Sequence, residues 1–237
     1  MQSRYIDAIG ASCFPKQKTG SFAGTVNTAG ARNQMQRAGK RGLDICVALV
    51  AILLLMPLIG VLCMIIWMGD GGMPIYRHRR IGRNGRAFHC LKLRSMVIDG
   101  DQVLERHLAD NPESRDEWNR TRKLTRDPRI TRVGHFLRKS SLDELPQLWN
   151  VLVGEMSLVG PRPIVEAEIA HYGDRFAICF SMTPGITGLW QVSGRSDCKY
   201  SERVTFDVNY TNNWWLGRDM AILLKTVPAV LAQRGSR

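Results

Sequence analysis

The chain has 237 residues, and its 33 Lys and Arg residues exceed its 21 Asp and Glu residues to give a formal net charge of +12. Hydrophobic residues make up 44% of the chain and charged residues 23%, which excludes a disordered, collagen-like or mucin-like protein. The six cysteines are scattered and form no Cys-x-x-Cys pair, which argues against a zinc module or a disulfide framework and for a reducing compartment.

The N-terminal segment, residues 1–38, is rich in small and polar residues and is predicted to be a mobile basic tail. Beyond it, the 24 residues from 45 to 68 carry no charge (ICVALVAILLLMPLIGVLCMIIWM). A helix needs roughly 20 apolar residues to cross a bilayer, so this run is long enough. It does not fit a cleaved signal peptide, because about forty residues precede it and no small-residue cleavage site follows. Residues 39–70 are therefore predicted to form a membrane helix.

Basic residues flank this membrane helix on both sides. Lys40 and Arg41 come just before the apolar run, and seven Lys and Arg residues follow between positions 77 and 94. The positive-inside rule would keep both flanks in the cytoplasm, which a simple span cannot do. Pro57, in the middle of the run, removes a backbone hydrogen bond and kinks a helix. The pattern favours a re-entrant helix hairpin that breaks at Pro57, and a span whose second basic cluster binds a ligand remains the alternative.

Residues 71–237 are predicted to form a small cytosolic globular domain of the mixed α/β class, rich in helices. Two short strands are predicted at residues 74–76 and 87–93, and the turn at residues 83–86 contains Asn-Gly, the strongest short hairpin signal. Apolar spacing predicts helices, which cover residues 101–108, 133–138, 145–153, 164–172 and 201–215. The sequence has no G-x-G-x-x-G and no P-loop motif, which excludes a dinucleotide site and a Walker-type site.

The run LRKSSLDELPQLWN, residues 137–150, places two adjacent carboxylates, Asp143 and Glu144, among cations. Ser141 and Glu144 fit an S-x-x-E capping box, which predicts a capped surface helix. Pro146 belongs in the first turn of a helix, however, so the helix is expected to begin near Asp143, with both carboxylates at its N-terminus. Such a terminus binds phosphate, and paired carboxylates can hold a divalent ion while one of them attacks phosphorus. The pattern alone leaves both the surface helix and the active site open.

Two further runs contain residues suited to phosphate or sugar binding. In GEMSLVGPRP, residues 154–163, two prolines fix the backbone around Arg162, which either meets a phosphate or carboxylate or is a solvated side chain in a rigid loop. In PGITGLWQVSGR, residues 184–195, small residues let the backbone approach a ligand, and Gln191 and Arg195 supply hydrogen-bond donors. The second run is weak evidence in isolation.

In their order along the chain these motifs resemble the monotopic phosphoglycosyl transferases, the bacterial sugar transferases that start the assembly of exopolysaccharides, O-antigens and glycoprotein glycans. The resemblance covers about 190 residues and also includes KRGLD (40–44), YRHRRIG (76–82), LKLRSM (91–96) and TRVG (131–134). GDQVL (100–104) and TRKL (121–124) are most similar to the short galactose phosphotransferases that initiate succinoglycan. The length fits this short form rather than the larger relatives with four additional N-terminal spans.

The resemblance implies that a UDP-sugar and undecaprenyl phosphate give undecaprenyl-diphospho-sugar and UMP, with Mg²⁺ as the cofactor and galactose as the expected sugar. Asp143 is then the nucleophile that forms a covalent phospho-sugar intermediate, and Glu144, with Asp143, holds Mg²⁺. By their position in the family motifs and by charge, four cations are expected to bind the phosphates: Lys92, Arg94, Arg138 and Arg162. Gln191 and Arg195 are expected to contact the nucleotide or the sugar, and Asp197 is a further candidate near the metal.

The resemblance also implies a place at the cytoplasmic face of the bacterial inner membrane, in contact with anionic lipids. Trp214, Trp215 and residues 221–224 suit interfacial amphipathic helices, although ordinary core packing would explain them equally well. The family's usual Ser-Pro at the helix break is Met56-Pro57 here, so a hydroxyl able to bond a freed carbonyl is missing. No nucleic-acid partner is expected, and a homodimer is left open.

Two other function classes compete with a transferase. A membrane-tethered protein could bind polyanions through the same cations without catalysis, in a steeply salt-dependent way. The paired carboxylates argue against this class, because they repel a polyphosphate unless a metal or the chemistry requires them. A hydrolytic phosphodiesterase is the third class, and the sequence shows no second set of metal ligands for it.

Overall fold

In the computed structural model, which describes residues 28–121, 124–193 and 200–231, the apolar segment lies within one long helix, α1 (Thr28–Asp70). The helix continues through Pro57, so the chain is not divided into two helices at the predicted break. The helix begins 11 residues before the predicted boundary at residue 39. Gln34, Met35 and Gln36 are good helix formers, so they extend a helix that the apolar run stabilises. Residues 1–27 of the predicted tail lie outside the described residues.

An antiparallel hairpin follows α1. Its strands are β1 (Ile75–Ile81) and β2 (Ala87–Leu93), each of seven residues. In the turn between them, Asn84 and Gly85 have φ angles of 56° and 74°, in the left-handed region that these two residue types tolerate best. The predicted hairpin is confirmed, and β1 is longer than predicted.

Within the described residues, four helices come next: α2 (Gly100–Asp110), α3 (Pro112–Thr121), α4 (Arg132–Ser140) and α5 (Gln147–Val153). The helices predicted over residues 101–108 and 133–138 are confirmed as α2 and α4. Helix α3 was not predicted, because its sequence, PESRDEWNRT, has almost no apolar residues from which a period could be read. Its proline occupies the first helical position, where proline is favoured.

Helix α5 begins at Gln147, so the predicted start near Asp143 is wrong. Leu142–Glu144 form a 3-10 turn instead. Ser141 is left-handed, with a φ of 58°, and ends α4 by donating its N–H to carbonyls of the last turn. Because an N-cap residue needs an extended backbone, this serine cannot begin a helix, and it makes no capping hydrogen bond through its side chain. The capping-box prediction is therefore wrong as well, whereas the predicted end of α5 at Gly154 is confirmed.

The C-terminal part of the described chain consists mainly of short elements: β3 (Ser157–Val159), α6 (Ile169–Tyr172), α7 (Phe176–Cys179), β4 (Gly185–Thr187), α8 (Leu189–Ser193), α9 (Tyr200–Asn212) and α10 (Leu216–Leu231). Strands β3 and β4 pair in parallel. The helix predicted over residues 164–172 is reduced to a 3-10 turn at Glu166–Glu168 and to α6, because Ile164 is engaged in a β-bridge with Ile81. The predicted helix-rich, mixed α/β class is confirmed.

One face of α1 packs on this domain on both sides of Pro57. Before the proline, Ala48 is buried in a cluster that contains Val151 of α5. After it, Leu62 is buried in a cluster with Leu93 of β2. Only 11% of the most apolar window of α1 is buried, whereas the core helix of a soluble protein is mostly buried. Within the described residues, α1 is the one helix long and apolar enough to cross a membrane.

Buried polar contacts fix the start of α1 to the domain. Lys40 Nζ donates to Asp219 Oδ2 of α10 at 2.6 Å and to a carbonyl of β3 at 2.9 Å. One turn later, Asp44 accepts hydrogen bonds from the Ser157 hydroxyl at 2.8 Å and from the Leu158 N–H at 3.0 Å. Burial of these charges is tolerated because each has a partner. The KRGLD motif thus holds α1 against β3 and α10.

Candidate active site

Strand β2 and the 3-10 turn before α5 bring an ammonium group against both adjacent carboxylates. Lys92 Nζ lies 2.7 Å from Glu144 Oε1 and 3.7 Å from Asp143 Oδ2. Both acids lie on the turn itself rather than on a helix, and Pro146 immediately precedes α5. The structure therefore brings the predicted nucleophile, the predicted metal ligand and one predicted phosphate-binding cation together.

The two carboxyl groups have opposite pKa shifts. Burial raises the pKa of Asp143, and the charge of Glu144 adds to this, although Lys92 opposes it. Burial also acts to raise the pKa of Glu144, but the charges of Lys92 and Arg162 and hydrogen bonds from Lys92 and Gln147 outweigh it, so this pKa is lowered. Glu144 is the stable anion of the pair. Its raised pKa makes Asp143 more basic than a solvated aspartate, and hence a stronger nucleophile once it is ionised.

A small cleft that is open to solvent adjoins this pair. Its walls include four predicted site residues and two that were not predicted: Lys92, Glu144, Arg162 and Gln191, with Arg80 and Gln147. Three of these side chains are cations and one is a carboxylate. The cleft therefore favours a polyanionic ligand such as a diphosphate, whose oxygens accept charge-assisted hydrogen bonds from arginine and lysine.

Arg138 borders the carboxylate pair from α4. Its Nε donates to Ser95 Oγ at 2.9 Å, and its charge acts to lower the pKa of Asp143 against the larger effect of burial. It is placed to stabilise the ionised carboxylate. Arg195 and Asp197, two further candidates from the sequence, lie outside the described residues.

Arg94, which was expected to bind phosphate, has other partners. Its guanidinium pairs with Asp70 at the end of α1 and donates to the carbonyl of Gly72. A Cβ atom on residue 72 would collide with Arg94 Nη1, so glycine is what lets the two approach. The structure thus uses Arg94 to connect the end of β2 to the end of α1.

One face of β1 adds side chains that the sequence analysis did not single out. Arg80 lines the cleft and donates to the Pro163 carbonyl at 3.3 Å. Burial, followed by the charges of Arg80 and Lys92, lowers the pKa of His78 to about 4, so the imidazole is neutral near pH 7. Its Nδ1 lies 3.3 Å from Arg80 Nη2 and can accept a hydrogen bond from it. Tyr76 lies opposite Lys92 in the hairpin, and alternate residues of a strand share a face. The strand pattern alone could therefore have placed His78 and Arg80 on the same face as Lys92.

The donor set of the site fits Mg²⁺. The carboxylates of Asp143 and Glu144 are hard oxygen donors, and Mg²⁺ is usually bound by one or two carboxylates, substrate phosphates and waters. Within the described residues, no group of three or more His, Cys, Asp and Glu side chains is suited to hold a metal. Two carboxylates suit an ion whose coordination is completed by substrate phosphate and water.

Comparison with known proteins connects this geometry to a family. The family model described as bacterial sugar transferase matches residues 35–233. The chain belongs to the bacterial sugar transferase family. The family resemblance drawn from the motifs is thus confirmed. Sugar phosphotransferases of this family are generally metal-dependent, and the apolar helix α1 indicates that this member associates with a membrane.

Three relatives illustrate the similarity. The UDP-galactose-lipid carrier transferase of Erwinia amylovora is 54% identical over 197 residues, which are 83% of this chain and 41% of that protein. The exopolysaccharide production protein ExoY of Rhizobium meliloti is 51% identical over 197 residues, which are 83% of this chain and 87% of that protein. The undecaprenyl-phosphate galactose phosphotransferase of Salmonella typhimurium is 50% identical over 200 residues, which are 83% of this chain and 41% of that protein. The chain spans less than half the length of two of these relatives and most of the third.

Proposed function

We propose that this sugar transferase moves galactose 1-phosphate from UDP-galactose to undecaprenyl phosphate, giving undecaprenyl-diphospho-galactose and UMP, as the first membrane step of exopolysaccharide synthesis. The observation that carries the proposal is the buried, basic carboxylate of Asp143 beside Lys92, at a cleft whose other cations suit a diphosphate. Two of the relatives are named for UDP-galactose with a lipid carrier and for undecaprenyl phosphate with galactose, which supports the choice of both substrates.

In the first half-reaction, a carboxylate oxygen of Asp143 attacks the phosphorus that bears the sugar. The bond from this phosphorus to the bridging oxygen breaks, and its electron pair leaves with UMP. Lys92, Arg80 and Arg162 donate hydrogen bonds to the diphosphate oxygens and stabilise the charge that develops there. The product is a phospho-sugar bound covalently to Asp143.

In the second half-reaction, an oxygen of undecaprenyl phosphate attacks the same phosphorus. The bond to Asp143 breaks, and the carboxylate is restored with its electron pair. The attacking phosphate oxygen is already anionic, so this step needs no general base. Covalent catalysis of this kind lets one small site serve a soluble nucleotide and a lipid in turn.

Glu144 and Asp143 are the residues that would hold Mg²⁺. The lowered pKa of Glu144, which burial alone would raise but nearby cations reverse, keeps this side chain anionic and able to bind a cation. When bound, Mg²⁺ neutralises the diphosphate and makes UMP a better leaving group. The hydrogen bond from Gln147 orients Glu144 for this role.

The chain is proposed to lie at the cytoplasmic face of the inner membrane, with residues 39–70 re-entrant and residues 71–237 in the cytoplasm. The packing of both halves of α1 on one domain supports this topology. If the helix crossed a hydrocarbon core about 30 Å thick, its second half would lie far from a domain that is bound to its first half. The net charge of +12 favours a surface of anionic lipids.

The C-terminal helix adds a second apolar surface. Trp214 and Ile222 pack in the core, whereas Trp215, Leu224 and Val227 are 58%, 72% and 60% exposed. The predicted interfacial stretch is therefore divided between core and surface. The exposed part suits the headgroup region, where tryptophan is favoured.

Release of UMP from a panel of UDP-sugars tests the proposal. In lipid nanodiscs with Mg²⁺, UDP-galactose and undecaprenyl phosphate should give many UMP molecules per enzyme, and UDP-galactose alone at most one. A preference for UDP-glucose or an N-acetylated sugar would contradict the sugar and leave the reaction standing. Absence of UMP with every donor, together with salt-dependent binding of polyanions, would favour a binding protein instead.

A further inference from the structure

Arg162 reaches the cleft without a polar side chain to orient it. Within the described residues it makes no hydrogen bond and no ion pair, and its guanidinium carbon lies 5.7 Å from the centroid of the Trp190 ring. Pro161 and Pro163 fix the backbone on either side, but the guanidinium lies at the end of a flexible side chain. The contact with the indole is therefore what sets the direction of this cation.

A second arginine packs against the same indole. The guanidinium carbon of Arg203, on α9, lies 4.7 Å from the Trp190 centroid and 5.0 Å from the Tyr200 centroid, both within the range of a cation–π contact. Arg203 Nε and Nη2 and Trp190 Nε1 are buried and have no hydrogen-bond partner in the part of the chain that the structure describes. Ring contacts, rather than hydrogen bonds from these atoms, therefore hold Arg203 against Trp190 and Tyr200. The buried carboxyl group of Asp207 accepts a hydrogen bond from the Tyr172 hydroxyl at 2.9 Å and lies close enough to Arg203 for the two groups to interact.

We propose that Trp190, backed by Arg203, is a positioning residue that holds Arg162 in the direction from which it binds the donor diphosphate. The identity of that ligand rests on the proposed function. A free arginine side chain loses rotamer freedom when it binds a phosphate, and a side chain that is already held loses less. Trp190 and Arg203 therefore increase the affinity of the cleft for a nucleoside diphosphate without contacting the ligand themselves.

A double-mutant cycle with UDP as the ligand tests this inference. The affinity is measured by calorimetry on the full chain in nanodiscs, so no turnover is needed. Trp190→Leu, which keeps an apolar side chain but removes the ring, should weaken UDP binding about tenfold, the size of a partly desolvated cation–π contact. Trp190→Phe, which keeps a ring face, should stay within about threefold of the parent. In an Arg162→Gln background, Trp190→Leu should add less than about twofold, because the group it positions is gone.

The chain offers a matched control in a second arginine–tryptophan contact. Arg129 lies over Trp118 at 5.1 Å, and neither residue lines the cleft. Trp118→Leu should leave UDP binding unchanged. If Trp190→Leu fails to fold, Arg203→Met replaces it in the same cycle and should weaken binding about threefold.

Three outcomes would overturn the inference: equal losses from Trp190→Leu in both backgrounds, a loss no larger than that of Trp118→Leu, or a parent that does not bind UDP. A parent that binds UDP and shows the predicted coupling, but releases no UMP, would refute the proposed function alone. A flat cycle in a protein that turns over normally would refute the positioning role alone.

Discussion

Asp143 and Glu144 are neighbours in the chain, yet their environments give them different chemistry. Asp143→Asn should abolish both the covalent phospho-sugar adduct and UMP release, because an amide oxygen does not displace UMP from phosphorus. Intact-protein mass spectrometry after mixing with UDP-galactose detects the adduct. Asp127→Asn is the matched control, since it removes a carboxylate that is paired with Arg129 outside the cleft. Substantial turnover by Asp143→Asn, with deamidation excluded, would move the nucleophile elsewhere.

Glu144→Gln should act mainly on the metal. The substitution keeps the shape of the side chain but removes the anionic ligand, so the Mg²⁺ concentration for half-maximal UMP release should rise roughly tenfold or more. Lys92, which lies 2.7 Å from Glu144 Oε1, would lose the charge of this partner and keep the carboxylate of Asp143 at 3.7 Å. The measurement is a Mg²⁺ titration at saturating UDP-galactose. A variant that titrates like the parent would show that Glu144 is not a metal ligand.

The sequence identified candidate cations but did not show which of them lie close together at the site. Lys92, on β2, and Arg94, just after its end, were expected to act alike, yet Lys92 contacts Glu144 and Arg94 pairs with Asp70. This difference depends on where the end of α1 packs, which no local pattern contains. Arg80 was passed over among many arginines, although the pairing of β1 with β2 places it on the cleft face. The acidic pair was found because adjacent carboxylates amid cations are an unusual pattern.

At the level of elements, the docking of α1 depends on two buried charges. Asp44→Ala removes a carboxylate that accepts two hydrogen bonds and leaves the Leu158 N–H without its partner. Because hydrogen bonds to charged groups contribute most, the loss should be about 3 kcal/mol of unfolding free energy. Thermal unfolding in detergent should show it as a lower midpoint. Asp99→Ala, which removes an exposed carboxylate that makes no capping hydrogen bond, should leave the midpoint unchanged, and equal effects of the two variants would contradict this account.

Asp207, inside α9, should make stability depend on pH. Burial raises its pKa from 3.8 to about 7, although the Tyr172 hydroxyl and the charges of Arg203 and Arg162 oppose the rise. The folded state therefore holds this proton more tightly than the unfolded state does. The resulting stability is complete below about pH 4 and is lost as the pH rises through about 7, an effect on the order of a few kcal/mol.

Asp207→Asn should remove that decline, because an amide does not titrate. Between pH 4.5 and 8 the unfolding midpoint of the parent should fall relative to that of the variant. The Asn side chain can still accept the hydrogen bond from Tyr172, so the comparison isolates the charge. Parallel curves for the two proteins would mean that the Asp207 carboxyl is not protonated in the folded state near neutral pH.

Local sequence signals predicted some secondary-structure elements correctly and gave wrong predictions for others. The hairpin was predictable because Asn-Gly accepts the left-handed turn between two strands. The start of α5 was not, because the S-x-x-E pattern also fits a chain in which Ser141 ends the preceding helix. Helix α3 gave no apolar period, and the contact of its Trp118 with Arg129 is a tertiary one that no local pattern contains.

At the scale of the whole molecule, charge and packing predict the same topology. Translocation of the N-terminal segment would carry seven Lys and Arg residues against one acid, Asp7, across the bilayer. Pro57 removes one backbone hydrogen bond at the middle of the apolar run, and the domain holds α1 both before and after it. We therefore expect residues on both sides of the helix to remain in the cytoplasm.

Single cysteines at Thr19 and at Arg83, in a background without other reactive thiols, test this topology. A membrane-impermeant thiol reagent applied to intact spheroplasts should label neither site, because both lie behind the inner membrane. The same reagent should label both after permeabilisation, which shows that the thiols are accessible. Labelling of the Thr19 site alone in intact spheroplasts would mean that α1 spans the bilayer. In that case the contacts of Leu62 with the domain could not form in the membrane, since the two ends of α1 would lie on opposite sides of a core about 30 Å thick.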